Sequence, residues 1–306
     1  MGIDLLKEYE KRKWIVHPLS SPKDTGNSPG KKPLLKEWQK LAKTPGNIKS
    51  YSDKRCNIGL VCGKASNVTV IDFDSLLFFD DIKNKVDAIP LMSRRTEGRG
   101  HMYFEYNPDL PAQKHHDLGI EILNDGSNAV LPPSIHVSGE VYRWNDPDTP
   151  IIQMPKKLEE NLKKLFKTES ELKQVLGKCR QCFKDVIKKK PDVHGAEGRQ
   201  FMVAISAELM AVGAKEEHLK LFSKLMYDRH YDENITLREL SYIDPGKTWR
   251  CSTLKDKLPG YVMNYCKDCR AQESNGVQTK IPENVIEYFR TVAVKDINAI
   301  ILVYQQ

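Results

Sequence analysis

Val68-Thr69-Val70-Ile71-Asp72-Phe73-Asp74-Ser75 carries two carboxylates into the end of an otherwise apolar run. β-branched residues dominate its approach, which predicts a largely buried strand. Residues two apart on a strand share a face, so Asp72 and Asp74 stand side by side. Like charges placed there repel and lose solvation unless a cation or a proton compensates. Hard divalent cations take oxygen ligands, and Mg²⁺ characteristically uses one or two carboxylates together with substrate phosphates. The plainer reading is that Asp74 and Ser75 only end the strand and cap a helix beginning near Leu76.

The chain of 306 residues is long enough for two modest domains with their own cores. A hydrophobic fraction of 40% and a charged fraction of 29% describe an ordinary soluble protein. No stretch has the apolar length of a membrane span, and the N-terminus lacks the basic-then-apolar layout of a secretory signal. After Gly2 no Ser or Thr stands where myristoylation favours one, so that modification is set aside. A cytoplasmic location is the expectation. The net charge is +7, with a crowd of lysines between Lys156 and Lys190. Two readings stand beside each other: a polyanion-binding surface, or a solvated helical face interleaved with Glu159, Glu160, Glu169 and Glu171.

Along the chain, a helix is expected from Asp4 to Trp14, a short strand to Leu19, a Ser/Pro/Gly/Lys loop to Lys32 and a helix led in by Pro33 to Trp38. Asn57 to Gly63 reads as a strand with Val68 to Phe73 as its neighbour, and His101 to Tyr106 as another. Ile120-Glu121-Ile122-Leu123 and Ala129-Val130-Leu131-Pro132 flank Asn124-Asp125-Gly126-Ser127-Asn128, a hairpin signature. Val141 to Trp144 adds one more strand, which makes this first part, residues 1–155, α+β. Helices follow: a basic connector over 156–190, read as one helix from Leu158 to Lys190, then a helical domain over 191–280. Residues 281–306 end in the apolar run Ala299 to Tyr304, which reads as the start of a further element, so a longer protein is expected.

Further chemistry-bearing residues are spread over the first part. Gly98-Arg99-Gly100-His101 sets a basic pair after a glycine turn, where a phosphate could approach the backbone. The alternative for His101 is a strand-start histidine bonded to a carbonyl. Glu121 lies between Ile120 and Ile122 and needs either a metal shared with Asp72 and Asp74, or a salt bridge to Arg99 or a lysine. In Pro132-Pro133-Ser134-Ile135-His136, Ser134 and His136 can both donate to a phosphate, or the segment is simply a rigid turn.

Taken in order, Lys31-Lys32-Pro33, Asn57-Ile58-Gly59, Ile71-Asp72-Phe73-Asp74, Gly98-Arg99-Gly100-His101, Ile120-Glu121-Ile122 and Pro132 to His136 form a recognisable series. It resembles the prim-pol domain of the archaeo-eukaryotic primase superfamily, as in the bifunctional DNA primase/polymerase of archaeal plasmid and viral replication proteins, over roughly residues 8–146. The resemblance implies an RRM-like catalytic core of mixed sheet with flanking helices. It implies that Asp72 and Asp74 hold catalytic Mg²⁺ or Mn²⁺, with Glu121 where the family usually has Asp and Asp125 as the fallback. It further implies that His101, with Arg99, Ser134, His136 and Lys32, lines a dNTP or NTP site. The implied activity is template-dependent joining of nucleoside triphosphates on single-stranded DNA by two-metal nucleotidyl transfer, often with a C-terminal helicase domain.

Residues 190–270 resemble, more loosely, the small helical domain that follows many prim-pol domains. Cys179, Cys182, Cys251, Cys266 and Cys269 include two C-x₂-C pairs. They suit a Zn²⁺ site, an iron–sulfur cluster or disulfides, although the pairs are too far apart in sequence for a compact ribbon. Two other functions share part of this pattern. A metal-dependent nuclease leaves the Gly98–His101 and Pro132–His136 segments unexplained. A non-catalytic nucleic-acid-binding replication factor has no use for three filled acid positions.

Overall fold

A computed structural model describes residues 3–53, 55–83, 90–244 and 247–262. Its strands are β1 (Val16–Leu19), β2 (Asn57–Val61), β3 (Val68–Phe73), β4 (Leu91–Thr96), β5 (Arg99–Glu105), β6 (Gln113–His115), β7 (Ile120–Leu123), β8 (Asn128–Val130) and β9 (Arg143–Trp144). The helices are α1 (Ile3–Lys11), α2 (Ile48–Asp53), α3 (Leu76–Lys83), α4 (Lys156–Lys178), α5 (Gln181–Lys188), α6 (Ala196–Ala211), α7 (Glu216–Tyr227), α8 (Glu233–Ser241), α9 (Cys251–Lys257) and α10 (Pro259–Val262). The chain divides into two compact units, residues 1–163 and 164–306. It is an α+β protein, and no helix among the described residues is long and apolar enough to cross a membrane.

In the first unit, two antiparallel sheets face each other. One has the order β1-β2-β8, the other β6-β7-β3-β5-β4-β9. Val16, Ile58, Leu60 and Ala129 of the small sheet share one core with Val68, Val70, Tyr103, Leu91 and Leu123 of the large one, closed by Tyr9 and Trp14. The alternate residues of β3 are also buried: Phe73 meets Phe79 of α3 edge-on, with ring centroids 5.5 Å apart. Burial on both faces explains why β3 reads as an almost continuous apolar run instead of alternating. Its apolar run stops at Asp72, where the inter-sheet core gives way to polar side chains.

Several local expectations change. The segment after Pro33 is not a full helix but a single 3-10 turn, Trp38–Lys40, entered through Glu37 at φ 51°. β2 and β3 are not ladder neighbours; they lie in different sheets and are joined by one bridge, Gly63 to Val68. The expected hairpin between β7 and β8 is an arch that passes from the large sheet to the small one. Its Asp125 accepts hydrogen bonds from the Lys64 N–H at 2.8 Å and the Tyr106 hydroxyl at 2.8 Å, which ties the arch to the β2–β3 turn instead of closing a ladder.

In the second unit, the single helix expected over Leu158–Lys190 is interrupted between α4 and α5. Arg180 is extended there, and the buried Glu208 of α6 accepts both its backbone N–H (3.0 Å) and its Nε (3.1 Å). Cys179 is buried with its thiol against the Val175 carbonyl, and burial raises its pKa to about 12. Cys179 and Cys251 carry free thiols and Cys182 is also buried; Cys266 and Cys269 lie outside the described residues, as does the 281–306 element. Three of the crowded lysines are paired at i,i+4: Lys163 with Glu159, Lys167 with Glu171 and Lys173 with Glu169. Such pairs favour the solvated-face reading for those positions.

Gly63 holds the crossing between the sheets. It has φ +86°, and a Cβ there would lie 2.1 Å from Asp125 Oδ1. Gly63→Ala is expected to cost about 2 kcal/mol or more of unfolding free energy. Urea denaturation followed by tryptophan fluorescence measures this, and an unchanged midpoint would contradict the tight crossing.

Candidate active site

Cross-strand register places the site. In the large sheet, Asp72 of β3 stands opposite His101 of β5 on one side and Glu121 of β7 on the other. Beyond His101 comes Ser93 of β4, then Trp144 of β9; beyond Glu121 comes Lys114 of β6. Directly opposed residues share a face, so this is one row across the sheet, polar from Lys114 to Ser93 and closed by Trp144. It lies one pleat beyond the apolar row of Val70, Tyr103, Leu91 and Leu123, all in the inter-sheet core.

Asp72 is the most perturbed acid. Burial, reinforced by Asp74 and, after the opposing pull of Lys31, by Glu121, raises its pKa from 3.8 to about 7. Its Oδ1 lies 3.4 Å from His101 Nε2. Burial, then the Lys31 charge, lowers the His101 pKa to about 3, so the ring is neutral at physiological pH. Ser93 Oγ (3.4 Å) and the Tyr103 hydroxyl (3.1 Å) approach Nδ1, and Tyr142 stacks on the ring with centroids 5.7 Å apart. With Nδ1 accepting from a hydroxyl, Nε2–H points its dipole at Asp72. This corrects the expectation of a positively charged His101: burial keeps it neutral, as a donor that orients Asp72.

Asp74 follows the strand, and its Oδ1 meets Arg95 Nη2 at 3.0 Å. Arg95 also reaches Glu140 (3.4 Å) and His136 Nδ1 (3.5 Å), with its side chain only 7% exposed. Arg95 is the extra residue in a register shift between β4 and β5, and a bulge of this kind re-aims a side chain. Gly100 makes that close approach feasible, since a Cβ there would lie 2.2 Å from the Ser93 carbonyl. The glycine therefore serves backbone packing where the sequence suggested room for a phosphate. Arg99 is exposed at the start of β5, two residues before His101 and so on the same face.

Glu121 pairs with Lys114 at 2.7 Å. Asp125, the fallback acid, lies beyond the opposite end of β7 in the arch and is removed from the row by chain direction. Ser134 is buried, its hydroxyl accepting from the Ile58 N–H at 3.0 Å; that commitment replaces the phosphate contact expected of it. His136 stays at the site: the Ser138 N–H (3.3 Å) and Arg95 both approach its Nδ1, leaving Nε2 to carry the ring proton. The Lys32 carbonyl accepts from the Ser20 N–H and its N–H donates to Ser20 Oγ, whereas the lysine charge acting on Asp72, His101 and His136 is that of Lys31. Arg95 and Lys31 are thus the cations that the sequence reading passed over. The strand Leu91–Thr96 before the Glu97-Gly98 turn was a readable signal for the first; nothing in the sequence separates Lys31 from Lys32.

The donor set suits a hard divalent cation. Burial, then repulsion from Asp74 and the adjoining Glu121, raises the Asp72 pKa, and a cation held by these oxygens would offset both. The three acids are not drawn into one tight cluster. Among the described residues, the group with ligand atoms mutually within 4.8 Å is Glu171, Glu217 and His218, in the second unit. There the Lys215 N–H donates to His218 Nδ1 (3.1 Å), so the ring proton sits on Nε2 and is given to Glu171 (3.1 Å). In that tautomer Nε2 has no lone pair for a metal.

Residues 6–157 match the family model described as bifunctional DNA primase/polymerase, N-terminal. Comparison with curated proteins gave no match.

A carboxylate with a folded-state pKa near 7 against 3.8 unfolded favours folding least when ionised. The penalty is absent below pH 3.8, grows as the pH rises and is complete above pH 7, at roughly 2–4 kcal/mol. Asp72→Asn is therefore expected to be more stable than the parent in chelator, with a gap that widens from pH 5 to pH 8. Added Mn²⁺ should stabilise the parent and leave the variant nearly unmoved. Thermal unfolding across that pH range decides; a gap that narrows with rising pH would overturn the assignment.

Proposed function

Because residues 6–157 are a bifunctional DNA primase/polymerase N-terminal domain, we propose that this chain joins nucleoside triphosphates on a single-stranded DNA template. The observation that carries the reading is Asp72, a carboxylate set between His101 and Glu121 with its pKa raised toward neutrality. Asp72 and Asp74, with Glu121 the third donor, would hold Mg²⁺ or Mn²⁺, which supplies charge to an attacking 3′-oxygen and a pyrophosphate leaving group.

The remaining groups have roles of their own. His101 fixes the orientation of Asp72 through Nε2–H, and Ser93 and Tyr103 fix His101. Arg95, now shared between Asp74 and Glu140, is a planar, permanently charged fork suited to a triphosphate oxygen. Lys31 adds long-range positive charge. His136 offers a neutral N–H donor beside Arg95. Together these groups place positive potential where phosphate charge develops, the main contribution a protein makes to phosphoryl transfer. A plasmid or viral replication role and a helicase partner belong to the same proposal and rest on the resemblance alone.

Primer extension and unprimed synthesis on single-stranded DNA, with Mg²⁺ or Mn²⁺, test the proposal. Asp72→Ala/Asp74→Ala is expected to abolish incorporation, and Arg95→Ala to lower it by about a hundredfold, mostly through nucleotide use. Metal-dependent cleavage of the DNA without triphosphates would favour a nuclease. DNA binding with no incorporation by the parent protein would favour a binding factor.

A further inference from the structure

Across the Pro132–His136 loop from the acidic row lies a second concavity, of about 460 Å³, within the first unit. Its walls are the loop after β1, the approach to β2 and the segment Pro133-Ser134-Ile135. The volume lies in the range of small-ligand sites. Asn57, buried at the base, ties the walls together: its Nδ2 donates to the Gly30 carbonyl (2.9 Å) and the Ile135 carbonyl (2.7 Å), and its Oδ1 accepts from the Ile135 N–H (3.0 Å). The groove is therefore held open by a satisfied buried amide.

Its chemistry has two sides. Lys23 and Arg55 are exposed on the rim, and no ion pair engages either among the residues whose side chains are described. Arg55 also sits at φ 58°, a left-handed conformation sparsely used by residues with a side chain. Pro22, Pro133 and Ile135 give an apolar surface, with Ile135 42% exposed. Cations above an apolar floor match a nucleotide unit, with the phosphate on the cations and the base on the floor. The wall is continuous with the site, since the residue after Ile135 is His136, which meets Arg95.

We propose that this groove seats one nucleotide unit of single-stranded nucleic acid, its phosphate between Lys23 and Arg55 and its base against Pro22, Pro133 and Ile135. The identity of the strand as the polymerase's own DNA rests on the function proposed above; the binding chemistry does not. An unlinked nucleotide shares that chemistry, so the test separates the two sources.

Fluorescence anisotropy of the full chain with labelled oligo(dT) is measured over a salt series for the parent and for Lys23→Gln/Arg55→Gln. Dissociation constants for Mn²⁺-dTTP without DNA are measured alongside. Loss of both cations from that phosphate is expected to weaken oligo(dT) binding roughly tenfold and to flatten the log–log salt slope by about 0.7. Affinity for Mn²⁺-dTTP should stay within about twofold. Cys56 lines the groove, so oligo(dT) should also slow its alkylation in the parent protein, read by peptide mass spectrometry. Unchanged oligo(dT) affinity and slope, or a loss confined to dTTP binding, would overturn the proposal. Incorporation by the parent is followed in parallel: its absence would remove the polymerase reading, while the groove stands or falls on the anisotropy.

Discussion

A carboxylate in an inner strand of a six-stranded sheet has to be solvated by its neighbours, and the row on either side of Asp72 is organised around that need. His101 gives it an N–H, Arg95 and Lys31 give it positive charge at longer range, and Asp74 and Glu121 work against it. The balance leaves the group poorly compensated, which is the usual state of a site that takes its counter-charge from a ligand. The second line of the site follows from the first. Ser93, Tyr103 and Tyr142 hold His101 in the tautomer that serves Asp72, and the β4 bulge turns Arg95 toward Asp74.

The same constraint explains where the site lies in the fold. The two sheets bury an apolar interior up to Val70, Tyr103 and Leu123, and the next row is polar. Beyond that boundary the loops of both sheets can reach the same space: the 131–140 segment from the small sheet brings His136 to Arg95 of the large one. Ser134 anchors that segment to β2, and Asn57 anchors its other side. Rigid anchoring of a loop beside a charged row is the arrangement expected of a preorganised site.

The second unit solves a different problem. Two of its buried polar groups are tied internally, with Glu208 capping the break at Arg180 and Glu171 accepting from His218. Lys167 and Lys173 are already paired along α4. A buried Glu208 with a bidentate arginine fixes the angle between consecutive helices more than it adds stability, since burial of both charges offsets most of their attraction.

Sequence alone determined the class and the strand β3 that leads into Asp72 and Asp74, because these depend on local pattern and on the order of short motifs. Strand partners were not legible: β2 with β3, and β7 with β8, look like neighbours in the chain yet sit in different sheets, and only the packed core decides which edge each strand meets. Arg95 was hidden for a related reason, since a bulge breaks the period of two on which facing is inferred. The choice between Lys31 and Lys32 and the charge state of His101 lie at the same level. Both depend on distance and burial, which are properties of the folded arrangement and not of the residues that form it.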